Sequence, residues 1–214
     1  MSDSWTAVIP VKRLDLAKTR LRGAVPAARH QDLALAMLAD TTAAVLTCAE
    51  VTELLVVTDD PAAAEIARGL GARPVPDEPG AGLNAAFRFG ADVVAGRGRD
   101  RVALQGDLPA LRPAELGEAL RSIERRGFVA DAAGTGTVLL GVRREWDLDP
   151  RFGPGSAAAH AASGAAALTG DWPGLRQDVD TADDLRAVLT LGAGPHTCDL
   201  LRDLGLTSSC LPAA

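Results

Sequence analysis

The chain has 214 residues and a formal net charge of -6, a size that suits one large domain or two small ones. Hydrophobic residues make up 47 % but aromatics only 3 %, with no Tyr, so the core must be Ala, Val and Leu, with small helical faces packed closely on a sheet. The negative balance excludes binding of nucleic acid or an anionic membrane by bulk electrostatics, so any phosphate ligand must be held by a local cluster.

Trp5 to Val11, W-T-A-V-I-P-V, is an apolar run too short for a helix, and its lack of alternation predicts a strand buried on both faces. Lys12, Arg13, Lys18, Arg20 and Arg22 follow within eleven residues, opposed only by Asp15. Such a cluster at a strand's end is either an anion site or a solvated basic loop. The G-x-x-x-x-G-K pattern is missing, so it is not a Walker A loop. Pro26 to about Ala49 reads as a helix covering one sheet face, with Leu33, Met37, Ala44 and Val45 at helical spacings. Glu53 to Thr58 reads as the second strand. Asp59 and Asp60 then read as an N-cap and its neighbour before they read as a metal site, with Pro61 opening a helix.

Ala72 to Asp77 is expected as a short strand, and P-D-E-P-G-A-G-L-N is a Gly/Pro-rich loop feeding a helix from about Leu83 to Ala95. Gly82 allows close approach of a flat ligand, and Asn84 either reads a base edge or merely caps the helix. Arg101 to Gln105 then forms a strand. Gly106 turns the chain, so that Asp107 stands just past the strand's carboxyl end, where open α/β sheets bind ligands. Asp107 is a candidate ligand for Mg²⁺ against a phosphate, or a surface cap for the helix expected over Pro113 to Arg126.

Phe128 to Asp131 and Thr137 to Val142 read as strands around A-A-G-T-G-T, either an anion-binding nest or an ordinary hairpin turn. R-F-G-P-G-S opens a short Ala-rich helix at Ser156. Leu175 to Asp180 is expected as a strand placing Asp178 and Asp180 on one face, with Thr181 and Asp184 forming a capping box for a last helix to Leu191. The segment from Gly192 onward reads as a trailing tail. Cys48, Cys198 and Cys210 are widely spaced with no C-x-x-C pair, which suggests reduced thiols. With no leader-like segment and no long apolar run, the expectation is a soluble, cytoplasmic protein without membrane or nucleic-acid partners.

A basic loop, a lone acid, an acidic pair and two glycine-rich turns are the parts needed to transfer a phosphorus group, with cations neutralising charge at a nucleotide's α-phosphate. His30, His160 and His196 are scattered, and each reads as structural or exposed. A general base is dispensable if the nucleophile is a substrate phosphate, whose second pKa is about 6. Attack by that oxygen with release of pyrophosphate asks the protein for positioning and cations.

Taken in order, T-A-V-I-P-V-K-R-L-D-L-A-K-T-R-L, P-D-E-P-G-A-G-L-N-A-A, L-Q-G-D-L-P-A-L, G-T-G-T, R-F-G-P-G-S and D-V-D-T-A-D-D-L resemble the guanylyltransferases of deazaflavin coenzyme F-420 biosynthesis, from about Thr6 to Thr197. The resemblance implies a single GT-A-like α/β nucleotidyltransferase domain over 1–197, its sheet mixed but mostly parallel and flanked by helices, with a C-terminal tail over 198–214. It implies transfer of GMP from GTP, with Mg²⁺, to phosphoenolpyruvate or 2-phospho-L-lactate. The Ala/Gly/Arg-rich composition favours phosphoenolpyruvate, since it is similar to that of actinobacterial members. Carried over by motif, Thr137, Gly153 and Ser156 would bind the acceptor, and Asp107 with Asp178 or Asp180 the metal. Asp178 is preferred because Asp180 lies nearer the helix cap. Lys12 and Lys18, with Arg20, would face the GTP phosphates, while Gly82 and Asn84 would meet the nucleotide. T-A-D-D-L stands where the family has T-P-x-D-L, a change expected to alter rigidity and leave the chemistry alone. A non-catalytic nucleotide-binding domain of the same fold is the alternative of another class.

Overall fold

The computed structural model describes residues 4–12, 21, 25–95 and 98–207. Strands β1 (Trp5–Val11), β2 (Val51–Thr58), β3 (Arg73–Val75), β4 (Asp100–Leu104), β5 (Arg126–Ala130), β6 (Thr137–Val142) and β7 (Ala166–Ala167) form one sheet in the order β3-β2-β1-β4-β6-β5-β7. Only β6 runs against its neighbours, pairing antiparallel with β4 and β5, so the sheet is mixed and mostly parallel as expected. Helices α1 (His30–Thr47), α2 (Pro61–Leu70), α3 (Leu83–Val93), α4 (Pro113–Arg121), α5 (Ser156–Ala162), α6 (Pro173–Arg176), α7 (Ala182–Leu191) and α8 (Pro195–Asp203) surround it.

β1 is buried on both faces, and its pleat sorts the core into two. Trp5, Ala7 and Ile9 join Leu38 and Val45 of α1, Leu54 and Val56 of β2, and Leu116 of α4 on one side. Val8 joins Leu55, Val57, Ala103 and the α3 residues Phe87 and Ala91 on the other. Each buried aliphatic side chain contributes roughly 1.5–3 kcal/mol, so a register slip in β1 would forfeit both layers. α1 covers the sheet as expected and is also buried on a second flank, where Leu33 and Met37 meet Val188 of α7 and Leu201 of α8.

Several expectations change. The tail after Leu191 carries α8, whose Thr197 and His196 amides donate to the buried Asp40 carboxylate of α1 at 2.8 and 3.0 Å, so a boundary between 197 and 198 falls inside a packed helix. Cys198 is disulfide-bonded, correcting the reduced-thiol reading for that residue, while Cys48 is free and buried. Leu175 to Asp180 is not a strand. Pro173 starts the short helix α6 and residues 177–180 are irregular, the sheet edge beyond β5 being taken by β7. The capping residues behave as read: Asp60 accepts from the Ala62 and Ala63 amides with Pro61 first in α2, and Thr181 with Asp184 closes a capping box on α7. Among the described residues no helix is long and apolar enough to cross a membrane.

Candidate active site

The strand order runs from β1 outward through β2 to β3, then returns to place β4 on the other side of β1. Such a switch point opens a crevice at the strands' carboxyl ends. Lys12, exposed, follows β1 there, and Gln105 to Asp107 follow β4. Because β6 is antiparallel to β4, its first residue, Thr137, lies at the same edge; the Gln105 amide donates to the Val138 carbonyl at 3.0 Å. Lys18 and Arg20, with Arg13, Asp15 and Arg22, lie outside the described residues.

Asp107 is held from both sides. A Cβ on Gly106 would stand 2.9 Å from Ile9 Cγ2, so glycine there lets the turn settle against β1. On the other side the Leu108 amide donates to Thr41 Oγ1 at 3.0 Å, and that buried hydroxyl donates to the Met37 carbonyl at 2.8 Å. Asp107 is left half-buried between them.

The two glycine-rich turns are sewn together. Ala157 N donates to the Thr135 carbonyl at 3.1 Å, and Thr137 Oγ1 sits 2.9 Å from His160 Nδ1. His160 Nε2 accepts from the Arg151 amide at 2.9 Å. Gly153 takes φ +132°, a backbone state that side chains strain, and its carbonyl accepts from the Ser156 amide. Thr137 and Ser156 are 4 % and 2 % exposed, while Gly153 is exposed. Thus the three residues carried over for the acceptor come together around one turn. Burial, aided by the positive Arg126 and Arg151 and opposed by Asp149, pushes His160 down to about 4, so the ring is neutral at physiological pH.

Two expected roles are corrected. The amides of Thr135 and Gly136 are not an open nest, because the Asp131 carboxylate accepts from both at 2.9 Å. Nor is Asn84 a cap, which is Gly82 at φ +98°. Asn84 Nδ2 donates to the Phe152 carbonyl at 2.9 Å and its Oδ1 accepts from the Phe152 amide at 2.7 Å, so the groups expected to read a base edge instead fasten the 151–156 turn. The Phe152 ring stacks on Phe87 at 4.2 Å, completing the fastening.

The late acids reach the same edge by another route. α6 is anchored by Glu115, which accepts from the Leu175 amide at 2.7 Å and is itself pushed up by burial. Arg176 Nη1 donates to the Ala130 carbonyl, and its own carbonyl accepts from the Ala132 amide, just past the end of β5. Val179 is buried in one apolar cluster with Ala110, three residues beyond Asp107. Asp178 on its flank is half-buried and Asp180 exposed. The D-V-D pair therefore arrives on a loop, and burial separates its two members. Among the described residues no group of three or more His, Cys, Asp and Glu is set to hold a metal. Mg²⁺ commonly takes one or two carboxylates and fills the rest from water and phosphate, so the all-oxygen donors Asp107 and Asp178 suit it.

Sequence reasoning missed Thr41 and the pairing roles of Asn84, Asp131 and His160. One signal existed for His160: it lies four residues after Ser156, one turn along the same helix face.

Known proteins point the same way. A family model described as "Guanylyl transferase CofC like" matches residues 5–211. Phosphoenolpyruvate guanylyltransferase from Salinispora arenicola is 57 % identical over 201 residues, covering 92 % of this chain and 93 % of its own. The protein of the same name from Geodermatophilus obscurus is 57 % identical over 205 residues, covering 92 % and 94 %. Among solved structures, a nucleotide-diphospho-sugar transferase-like protein from Desulfovibrio desulfuricans G20 superposes with TM-score 0.72 at 18 % identity, over 96 % of this chain and 97 % of that one. A nucleotidyl transferase from Methanothermobacter gives TM-score 0.60 at 20 % identity, over 87 % and 97 %. At such identities the structures speak for the fold alone.

Proposed function

The chain belongs to the CofC-like guanylyl transferase family, and from that premise we propose that it transfers GMP from GTP to phosphoenolpyruvate, releasing pyrophosphate, as a cytoplasmic enzyme of deazaflavin coenzyme F-420 biosynthesis. The observation that carries this reading is the meeting, at one sheet edge, of Asp107 with a turn presenting Thr137, Gly153 and Ser156. The acceptor's phosphate would lie against the Thr137 and Ser156 hydroxyls, which donate hydrogen bonds to an acceptor-only anion. One of its oxygens forms the new bond to the α-phosphorus of GTP. The bond from that phosphorus to the bridging oxygen breaks, and pyrophosphate leaves with the electron pair. The attacking phosphate is already dianionic, so no side chain must remove a proton. Mg²⁺, held by Asp107 and Asp178, would supply positive charge at the α-phosphate. Lys12, with Lys18 and Arg20, would lie against the triphosphate.

The test is incubation of the protein with GTP, ATP, CTP or UTP and with phosphoenolpyruvate or 2-phospho-L-lactate, following pyrophosphate and product mass. GTP with phosphoenolpyruvate should give pyrophosphate and an enolpyruvyl-diphospho-guanosine. Product with 2-phospho-L-lactate alone would reassign the acceptor, and GTP binding without pyrophosphate from either acid would make this a binding domain. Asp107→Ala should remove turnover by about three orders of magnitude or more with the fold intact, and near-wild-type turnover would take Asp107 out of the mechanism.

A further inference from the structure

His160 lies at the centre of the acceptor turn yet is uncharged and fully buried, so it cannot neutralise a substrate anion. What it can do follows from hydrogen-bond bookkeeping at three atoms. The Arg151 amide has only a hydrogen to offer, so His160 Nε2 must accept. A neutral imidazole carries one ring proton, which therefore sits on Nδ1 and points at Thr137 Oγ1, 2.9 Å away. With its oxygen already accepting from the ring, Thr137 has its own hydroxyl hydrogen left to give. It can satisfy that hydrogen only with an acceptor.

We propose that His160 is the positioning residue of the acceptor pocket: locked in the Nδ1–H tautomer by the Arg151 amide, it makes Thr137 a directed donor toward an acceptor-only phosphate or carboxylate. The same two bonds tie residue 151, at the head of the turn that carries Gly153 and Ser156, to the start of β6. Phe152 reinforces the ring's orientation, lying edge-on to it at 5.2 Å, while the Phe128 ring tilts against it at 5.8 Å. With the other tautomer, Nε2–H would face the Arg151 N–H and Nδ1 would face the hydroxyl as an acceptor, turning Thr137's hydrogen inward and its lone pairs toward the substrate. The tautomer thus sets which ligand chemistry the pocket accepts. This inference rests on the acceptor assignment made above.

Two substitutions separate the bonds. Asn places an amide N–H where Nδ1–H stands and keeps the bond to Thr137, whereas Gln reaches the Nε2 position and keeps only the bond from Arg151. With GTP and phosphoenolpyruvate, His160→Gln should raise KM for phosphoenolpyruvate about tenfold, the scale of one charge-assisted hydrogen bond. His160→Asn should recover most of that, and KM for GTP should hold within twofold in both. Equal rises in the two KM values, or no rescue by Asn, would overturn the positioning role. A nitrogen-detected imidazole spectrum of the wild type, with His160 assigned by its loss in the Asn variant, should show a neutral Nδ1–H ring at pH 7; Nε2–H or imidazolium would also overturn it. If the wild type makes no product with either acid, the acceptor assignment fails together with this role. The spectrum then still shows whether the hydrogen-bond assignment was correct.

Discussion

Replacing Asn84 by Ala decides between the two roles that its amide could serve. The side chain makes paired bonds to the Phe152 amide and carbonyl, at 2.7 and 2.9 Å, and Phe152 is only 6 % exposed. Truncation removes both bonds and leaves two main-chain groups to find water in a nearly closed place. At about 0.5–1.5 kcal/mol net for each bond, with a further penalty for any group left unpaired, the loss is about 2–3 kcal/mol. For a chain of this size that lowers the melting midpoint by roughly 5–10 °C. Part of the loss can be relieved if the 151–156 turn swings open, which would disperse Gly153 and Ser156. Urea unfolding should therefore give a lower midpoint with an unchanged slope, and steady-state assays should give a KM for phosphoenolpyruvate raised about tenfold with KM for GTP held. The ratio of GTP to ATP turnover should not move. A variant that keeps its stability and acceptor KM but loses preference for guanine would refute this reasoning and return Asn84 to the base.

The remaining predictions concern the supports of the same site. Thr41→Val removes the acceptor of the buried Leu108 amide; it should cost about 1–3 kcal/mol in unfolding free energy and lower kcat with both KM values unchanged, and a full wild-type kcat would show that Asp107 needs no such anchor. Ser156→Ala should raise KM for the phospho-acid several-fold more than KM for GTP, and equal effects would remove Ser156 from the acceptor. His160 binds a proton less readily in the fold, near 4, than at its ordinary 6.5. Its contribution to stability is complete above pH 6.5 and is lost as pH falls toward 4, on the order of 3 kcal/mol in all. Unfolding curves from pH 7 to 4 should show that loss in the wild type and not in His160→Asn; parallel curves would contradict it.

What could be read from the chain beforehand was whatever local geometry dictates. β1 and β6 fall where their apolar runs place them, Asp60 and Pro61 open α2, and Thr181 and Asp184 close their box, because each depends on residues a few positions away. The strand expected at Leu175 to Asp180 failed for the opposite reason. The sheet edge beyond β5 is taken by β7, and Pro173 with Glu115 drew the start of this short polar–apolar run into a helical turn. Likewise Asn84 and Asp131 carry groups suited to ligands, but partners 68 and 5 residues away claim them first. Residue type and spacing identify which atoms can bond; only the tertiary arrangement says which of those atoms are still available.

That distinction also explains how the site divides its work. The acceptor side among the described residues combines neutral groups, namely two nearly buried hydroxyls, a glycine turn and an imidazole held uncharged, with the positive Arg126 and Arg151 near that ring. Neutral donors orient an anion but repay little of the cost of taking it out of water. On the proposed reading, further compensating charge would come from Lys12, just past the end of β1, and from a cation on Asp107 and Asp178. A pocket so arranged would hold the phospho-acid firmly only when the nucleotide and its cations are in place. The attacking dianion would thereby be kept from resting in a site that neutralises it too well to react.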